Sequence, residues 1–255
     1  MRDLAVSLVQ CELAWENPED NRRLIGDIID GLAQTDLVVL PEMFTTGFSM
    51  KALANLEDSG GPTEQWMQAV ASQRDCALTG SIATRAGDKA FNRMLFATAD
   101  SVEHYDKKHL FAYMGEHKRY AAGQDRVIVH YRGWRICLQI CYDLRFPVFC
   151  RNRDDYDLLI FVANWPSTRA GHWRTLLQAR AIENQSYVVG VNRVGADANG
   201  LNYSGDSLAI APDGTLLLDC GQQKNAARVT LDGAFLETYR RDFPFQEDAD
   251  AFRLE

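Results

Sequence analysis

Long apolar runs are missing from this 255-residue chain. The longest unbroken one, Leu158 to Ala163, is far short of the roughly 20 residues that cross a bilayer, so no membrane span is expected. An excess of positive charge is missing too. Lys and Arg number 27 against 35 Asp and Glu, a net charge of −8, and such a balance argues against nucleic acid as a partner. Only 7 Pro and 18 Gly are present, which excludes a collagenous or linker-dominated chain. The six cysteines, Cys11, Cys76, Cys137, Cys141, Cys150 and Cys220, form no CxxC pair, so neither a zinc nor an iron–sulfur site is expected. His104, His109 and His117 lack HExxH spacing, and no metal is expected. The opening MRDLAVSLVQCELAWENPEDN has no apolar core followed by small residues, so the expected location is the cytoplasm.

What is present is 46% hydrophobic residues, enough for a sizeable core, arranged as short apolar runs alternating with amphipathic stretches. Strands are expected at Leu4–Val9, Leu37–Leu40, Ala77–Ala83, Met94–Ala99, Val102–Tyr105, Val127–Tyr131, Trp134–Ile140, Leu158–Val162, Tyr187–Asn192, Leu208–Ala211, Leu216–Asp219 and Ala227–Leu231. Helices are expected at Pro18–Leu32, Pro62–Arg74, His172–Gln185 and near Ala234–Arg241, with another starting near Pro147. No linker or repeat divides the chain, so residues 1–255 are expected to be one domain. Hairpins mixed with crossovers predict an α/β layered sandwich with a mixed sheet or two sheets.

Three strands end on reactive residues: Glu42, Lys107 and Cys141. Ligands in open α/β sheets lie beyond the carboxyl ends of strands. Taken singly, each has an ordinary alternative: a solvated Glu or Lys, or a core Cys. Together they offer an acid, an ammonium and a thiol. Pro147 opens a helix, which would put Cys141 at a strand-to-helix turn where unpaired N–H groups lower a thiol's pKa and hold an oxyanion. None of the three is expected to be core. The other five cysteines read as structural. His172 lies far from any Asn or Asp motif of a papain-like pair, and Glu42 already supplies a base.

PEMFTTGF around Glu42, YDKKHLF around Lys107 and CYDLRFP around Cys141 resemble the three signature motifs of the nitrilase superfamily, the carbon–nitrogen hydrolases. Asn92, Glu116, HWRTLLQARAIENQSYVVGVNRVG and GDSLAIAPDG extend the resemblance over nearly the whole chain. It implies a four-layer α-β-β-α sandwich, homodimers joined through helix faces, and no cofactor. It also implies Glu42 as general base, Lys107 as oxyanion-stabilising cation, Cys141 as nucleophile through a thioester, Glu116 as support for Lys107, and the N–H of Tyr142 as second oxyanion donor. The combination with VANWP is most similar to the bacterial omega-amidases, which hydrolyse small 2-oxo dicarboxylic acid monoamides, the products of glutamine or asparagine transamination, including the transamination that closes methionine salvage. A nitrile, an N-carbamoyl amino acid or another aliphatic amide remain alternatives, as does a non-catalytic scaffold. A substrate carboxylate needs a cation: Arg145 is the first choice and Arg169 the second, with an ion pair between Arg145 and Asp143 as the alternative. Trp165, Phe48 and Tyr113 could wall a small pocket, although Tyr113 reads better as core.

Overall fold

The computed structural model describes residues 1–253, except the side chains of residues 52 and 53. The last two residues of the expected domain lie outside it. One sheet is built from β1 (Leu4–Gln10), β2 (Leu37–Val39), β3 (Glu57–Asp58), β4 (Ala77–Ala86), β5 (Lys89–Ala97) and β6 (Val102–Asp106). The second takes β7 (Ile128–Tyr131), β8 (Trp134–Ile140), β9 (Leu158–Ala163) and β10 (Tyr187–Asn192). After a separate hairpin of β11 (Val194–Ala196) and β12 (Asn202–Ser204), β13 (Leu208–Ile210) and β14 (Leu216–Asp219) complete the second sheet, and β15 (Asn225–Leu231) returns to the first. The strand orders are β15-β1-β2-β4-β5-β6, with β3 beside β4, and β14-β13-β10-β9-β8-β7. β1, β2 and β4 run parallel, as do β8, β9 and β10, while the flanking strands are antiparallel. The sheets are mixed, as expected.

Side-chain alternation explains the layering. Leu4, Val6 and Leu8 of β1, Leu37 and Val39 of β2, Ile136, Leu138 and Ile140 of β8, and Leu158, Ile160 and Val162 of β9 share one buried cluster between the sheets. The intervening residues face outward into helices. Val38 and Leu78 meet Ile25 and Ile29 of α1 (Pro18–Asp30) and Met67 and Ala71 of α2 (Pro62–Arg74). Beyond the one-turn α3 (Pro147–Cys150), Cys137, Leu159 and Phe161 meet Trp173, Leu177 and Ala181 of α4 (Ala170–Asn184). α5 (Gly233–Asp242) follows β15 and drops Leu236 into the central cluster. This is the four-layer α-β-β-α arrangement. Each fully buried Leu, Ile or Val contributes about 1.5–3 kcal/mol over its exposed state, so strands with both faces covered are continuous apolar runs.

Two features differ from expectation. β4 and β5 form a longer hairpin than the apolar residues alone indicate, pairing Ala86 with Lys89. The polar Arg85-Ala86-Gly87-Asp88-Lys89 stretch reads as a loop because this end of the hairpin leaves the layered core. The β11–β12 hairpin lies in a Gly-, Asp- and Asn-rich stretch that offers no apolar period to read.

Gly190 of β10 lies directly beneath α4. A Cβ there would sit 2.4 Å from Leu177 Cδ1 and 2.8 Å from Trp173 Cζ2. Gly190→Ala is therefore expected to lower unfolding stability by about 1–3 kcal/mol through overpacking, read as a drop in the urea midpoint at unchanged slope.

Candidate active site

Glu42, Lys107, Cys141 and Asn164 follow the carboxyl ends of β2, β6, β8 and β9. The packed sheets bring these ends together. Glu42 and Lys107 are wholly interior, 0% and 1% exposed, which corrects the expectation that the reactive groups stand clear of the core. They are tolerated there because every charge is answered. Lys107 Nζ donates to Glu42 Oε1 at 2.8 Å and to Glu116 Oε1 and Oε2 at 3.1 and 3.0 Å. Asn92 Nδ2 bridges the same two carboxylates, at 2.8 Å to Glu42 and 3.1 Å to Glu116. Glu42 Oε2 accepts from the Asn164 backbone N–H at 2.8 Å, and Glu116 Oε2 from the Phe111 N–H at 2.6 Å. Burial alone would push the Lys107 ammonium down. The Glu116 and Glu42 charges outweigh it, so Lys107 is held well above the usual lysine range and stays protonated. Burial and the charge of Glu42 push the Glu116 carboxyl up, against the pull of Lys107.

Cys141 is half-buried, whereas the other five cysteines are buried. It opens a 3₁₀ turn, Cys141–Arg145, with φ of +44°, a conformation rare outside glycine and one that needs support from its surroundings. Asp143 supplies that support. Its Oδ2 accepts from the Ile140 N–H at 2.9 Å and the Tyr105 hydroxyl at 2.7 Å, and its Oδ1 from the His109 N–H at 2.9 Å. One buried carboxylate thus locks the turn bearing Cys141 to the loop bearing Lys107. From outside, Arg180 of α4 donates to the Leu144 carbonyl at 2.6 Å. The expected helix at Pro147 is a single turn and begins six residues later than Cys141, so it supplies no strong dipole to the thiol. Burial and the Glu42 charge instead push the thiol well above its ordinary value, against the pull of Lys107. The first N–H groups of a 3₁₀ turn have no acceptor within it, and that of Tyr142 is among them.

A cavity of about 220 Å³ opens over these groups, lined by Glu42, Lys107 and Cys141 and by aromatic residues including Phe48, Tyr142, Trp165 and Tyr203. Phe48 lies 5.3 Å from Lys107 Nζ, ring to cation. Trp165 is both wall and core, since it is buried and anchored through its backbone N–H to Asn192 Oδ1 at 2.8 Å and through its indole N–H to the Arg169 carbonyl at 2.8 Å. Tyr113 is not core: it is 87% exposed at the pocket mouth. Arg145 does not pair with Asp143. Its guanidinium lies 4.7 Å from the Trp165 ring and 3.2 Å from His172 Nδ1, which gives His172 a place beside the pocket but not beside the thiol. Arg169 lines the same pocket, 5.7 Å from the Phe111 ring.

Two contributors have little signature of their own. Asn164 also clasps the Glu42 carbonyl at 2.7 Å, and Asp143 reads as a polar residue of the CYDLRFP run. Position directly after an apolar strand is the one signal that marks Asn164, as it marked Lys107 and Cys141.

Residues 5–241 match the family model described as carbon–nitrogen hydrolase. The chain is 45% identical to the omega-amidase YafV of Escherichia coli, over the full length of both chains. It is 31% identical to the 2-oxoglutaramate amidase of Bacillus subtilis, covering 95% of this chain and 96% of that one. The crystal structure of XC1258 from Xanthomonas campestris, a CN-hydrolase superfamily protein with an arsenic adduct in its active site, superposes with a TM-score of 0.98 at 48% identity over all of both chains. With two β-sheets between helices, a buried Glu–Lys pair facing a half-buried Cys, and these likenesses over its whole length, the chain belongs to the carbon–nitrogen hydrolase family of the nitrilase superfamily.

Proposed function

We propose that the protein is an omega-amidase that hydrolyses the terminal amide of short 2-oxo dicarboxylic acid monoamides, 2-oxoglutaramate and 2-oxosuccinamate, to the acid and ammonia. The observation that carries this reading is a small pocket with a base, a cation and a thiol at its floor and two arginines on its wall, Arg145 and Arg169. Neither guanidinium meets a carboxylate among the described residues, so both are available to an anionic substrate. The names borne by the E. coli and B. subtilis relatives support the same substrate class.

In this mechanism Glu42 takes the thiol proton as Cys141 Sγ bonds to the amide carbon. The electron pair moves to the carbonyl oxygen, where Lys107 and the Tyr142 N–H receive the charge. Collapse breaks the C–N bond, Glu42 returns its proton to nitrogen, and ammonia leaves a thioester. Glu42 then takes a proton from water, the hydroxide adds to the thioester carbon, the C–S bond breaks, and the sulfur recovers its proton. Glu116 keeps Lys107 charged and aimed. Burial and the Glu42 charge push the thiol up, so removal of its proton falls to Glu42 as the bond to carbon forms. Arsenic binds thiols tightly, so the adduct in the X. campestris relative supports a reactive thiol here.

We also propose a homodimer in which the outer face of α4 meets its copy, because Ile182 and the neighbouring Leu216 and Leu217 stay exposed there. Light scattering should give twice the mass of one chain, and a monomer at all concentrations would refute it.

Brief, limiting treatment with iodoacetamide should label Cys141 before the other five cysteines, as peptide mass spectrometry would show. Cys141→Ala should abolish ammonia release and keep the fold. Glu42→Gln should lose the base, with a turnover loss of at least about a hundredfold, the scale of one acid–base catalyst. Lys107→Met should lose turnover and also stability. It leaves two buried carboxylates unanswered, at a cost of about 3–5 kcal/mol, so its melting temperature should fall well below that of Cys141→Ala.

Arg145→Met should raise KM for 2-oxoglutaramate by one to two powers of ten, the equivalent of about 1.5–3 kcal/mol for a charged hydrogen bond. A neutral amide of similar size should be affected far less. Equal losses on both substrates, or a lower melting temperature alone, would move the carboxylate contact to Arg169.

A further inference from the structure

The β11–β12 hairpin, Val194–Ser204, contributes Leu201 and Tyr203 to the pocket wall and packs against the Ser167–Arg169 turn that carries Arg169. Its footing is unusual. Arg193, the residue before it, is completely buried and makes no carboxylate pair among the described residues. Its Nε goes to the backbone carbonyl of Val194 at 3.3 Å, its Nη2 to those of Ala196 at 3.1 Å and Leu13 at 3.5 Å, and Nη1 has no partner among the described residues. A buried guanidinium with an unanswered donor is costly. The ring of Tyr203 lies over it at 4.9 Å, an arrangement that gains in strength where water is excluded. The Tyr203 hydroxyl donates to Asp197 Oδ2 at 2.9 Å, and Asp197 Oδ1 accepts from the N–H groups of Asn199 and Leu201, which closes the hairpin turn. On its other side Arg193 packs against Gly47 of the loop that follows Glu42: a Cβ on Gly47 would lie 3.3 Å from Nη1. Ring, turn and Glu42 loop therefore meet around one cation, which backs the Tyr203 ring where it lines the pocket.

We propose that Tyr203 is the residue that sets substrate length, a rigid end wall that admits acyl chains of four or five carbons and rejects longer ones, with Arg193 as the positioning residue that holds its ring. The cavity of about 220 Å³ is below the usual range of roughly 300–1,000 Å³ for ligand sites, in keeping with an enforced size limit. The inference rests on the proposed amidase reading for its choice of substrate, but the wall itself acts on any amide placed on Cys141.

The test is a length series run on wild type, Tyr203→Ala, Tyr203→Phe and Arg193→Met, each checked for melting temperature. Two sets of terminal amides are used: the 2-oxo dicarboxylic monoamides of four, five and six carbons, and plain aliphatic amides of the same lengths. Wild type should favour the four- and five-carbon members in kcat/KM. Tyr203→Ala should shift the ratio of six- to five-carbon substrate upward by at least about tenfold, the scale of one methylene in a pocket. The shift should lie mainly in KM. Tyr203→Phe, which keeps the ring, should retain the wild-type ratio, and Arg193→Met should move it in the same direction as Tyr203→Ala. An unchanged ratio in Tyr203→Ala, or uniform loss across lengths, would overturn the proposal. An Arg193→Met protein of wild-type ratio would remove Arg193 from it. Turnover confined to the plain amides would count against the 2-oxo acid reading while still reporting the length limit.

Discussion

The ammonium of Lys107, buried between the carboxylates of Glu42 and Glu116, is the contact on which the site depends. Three charges lie where water does not reach, with a summed charge of minus one. Taken from water singly, each would cost several kcal/mol, so the arrangement persists only while all three are present and hydrogen-bonded. Asn92, the Asn164 N–H and the Phe111 N–H supply the remaining donors. The ammonium of Lys107 is thus what makes it possible to bury Glu42, the base of the proposed reaction. Removing either carboxylate would weaken the hold on Lys107 as well as the function of that carboxylate.

The same economy joins the two sheets. Glu42 and Lys107 come from the first sheet, Cys141 and Asn164 from the second. Asn164 grips Glu42 through both its backbone N–H and its side-chain amide, and Asp143 ties the Cys141 turn to Tyr105 and His109. Apolar packing between the sheets is non-directional and sets only an approximate distance. These polar ties set the relative position of thiol, base and ammonium. They also explain how Cys141 is kept at a positive φ: the turn is over-determined by Asp143 on one side and by Arg180 on the other.

The parts legible in the sequence are those with a periodic or sharply placed signal. Apolar runs such as Leu158–Val162 mark buried strands, and Glu42, Lys107 and Cys141 announce themselves by following such runs. Two groups of features were less visible. The β11–β12 hairpin has Gly195, Asp197, Asn199 and Gly200 where a strand reader looks for alternating apolar residues, and its turn is closed by Asp197 rather than marked by an apolar period. Pro147 suggests a helix dipole that would lower the thiol pKa. The real environment, burial beside Glu42, acts in the opposite direction. Tyr113 is illegible for a related reason: an aromatic in a short loop has no period, and only the tertiary arrangement puts it at the pocket rim.

Charge accounting joins the site to its substrate. In the pocket and directly behind it two carboxylates, Glu42 and the buried Glu116, stand against three cations, Lys107, Arg145 and Arg169. One positive charge is left over when Cys141 is a thiol. A monoanionic amide brings the loaded pocket to neutrality, and transfer of the thiol proton to Glu42 moves charge within the pocket without changing its sum. A thiolate in the empty enzyme would be buried beside two carboxylates, and burial first, then the charges of Glu42 and Glu116, push the thiol up against the pull of Lys107. A chain of net charge −8 that takes up an anion needs such local compensation, since its overall field works against the encounter. In the proposed reaction the arginines would have two effects, gripping the carboxylate and cancelling its charge. A neutral amide can have only the chemistry, which is why discrimination between charged and neutral substrates should appear in KM more than in kcat.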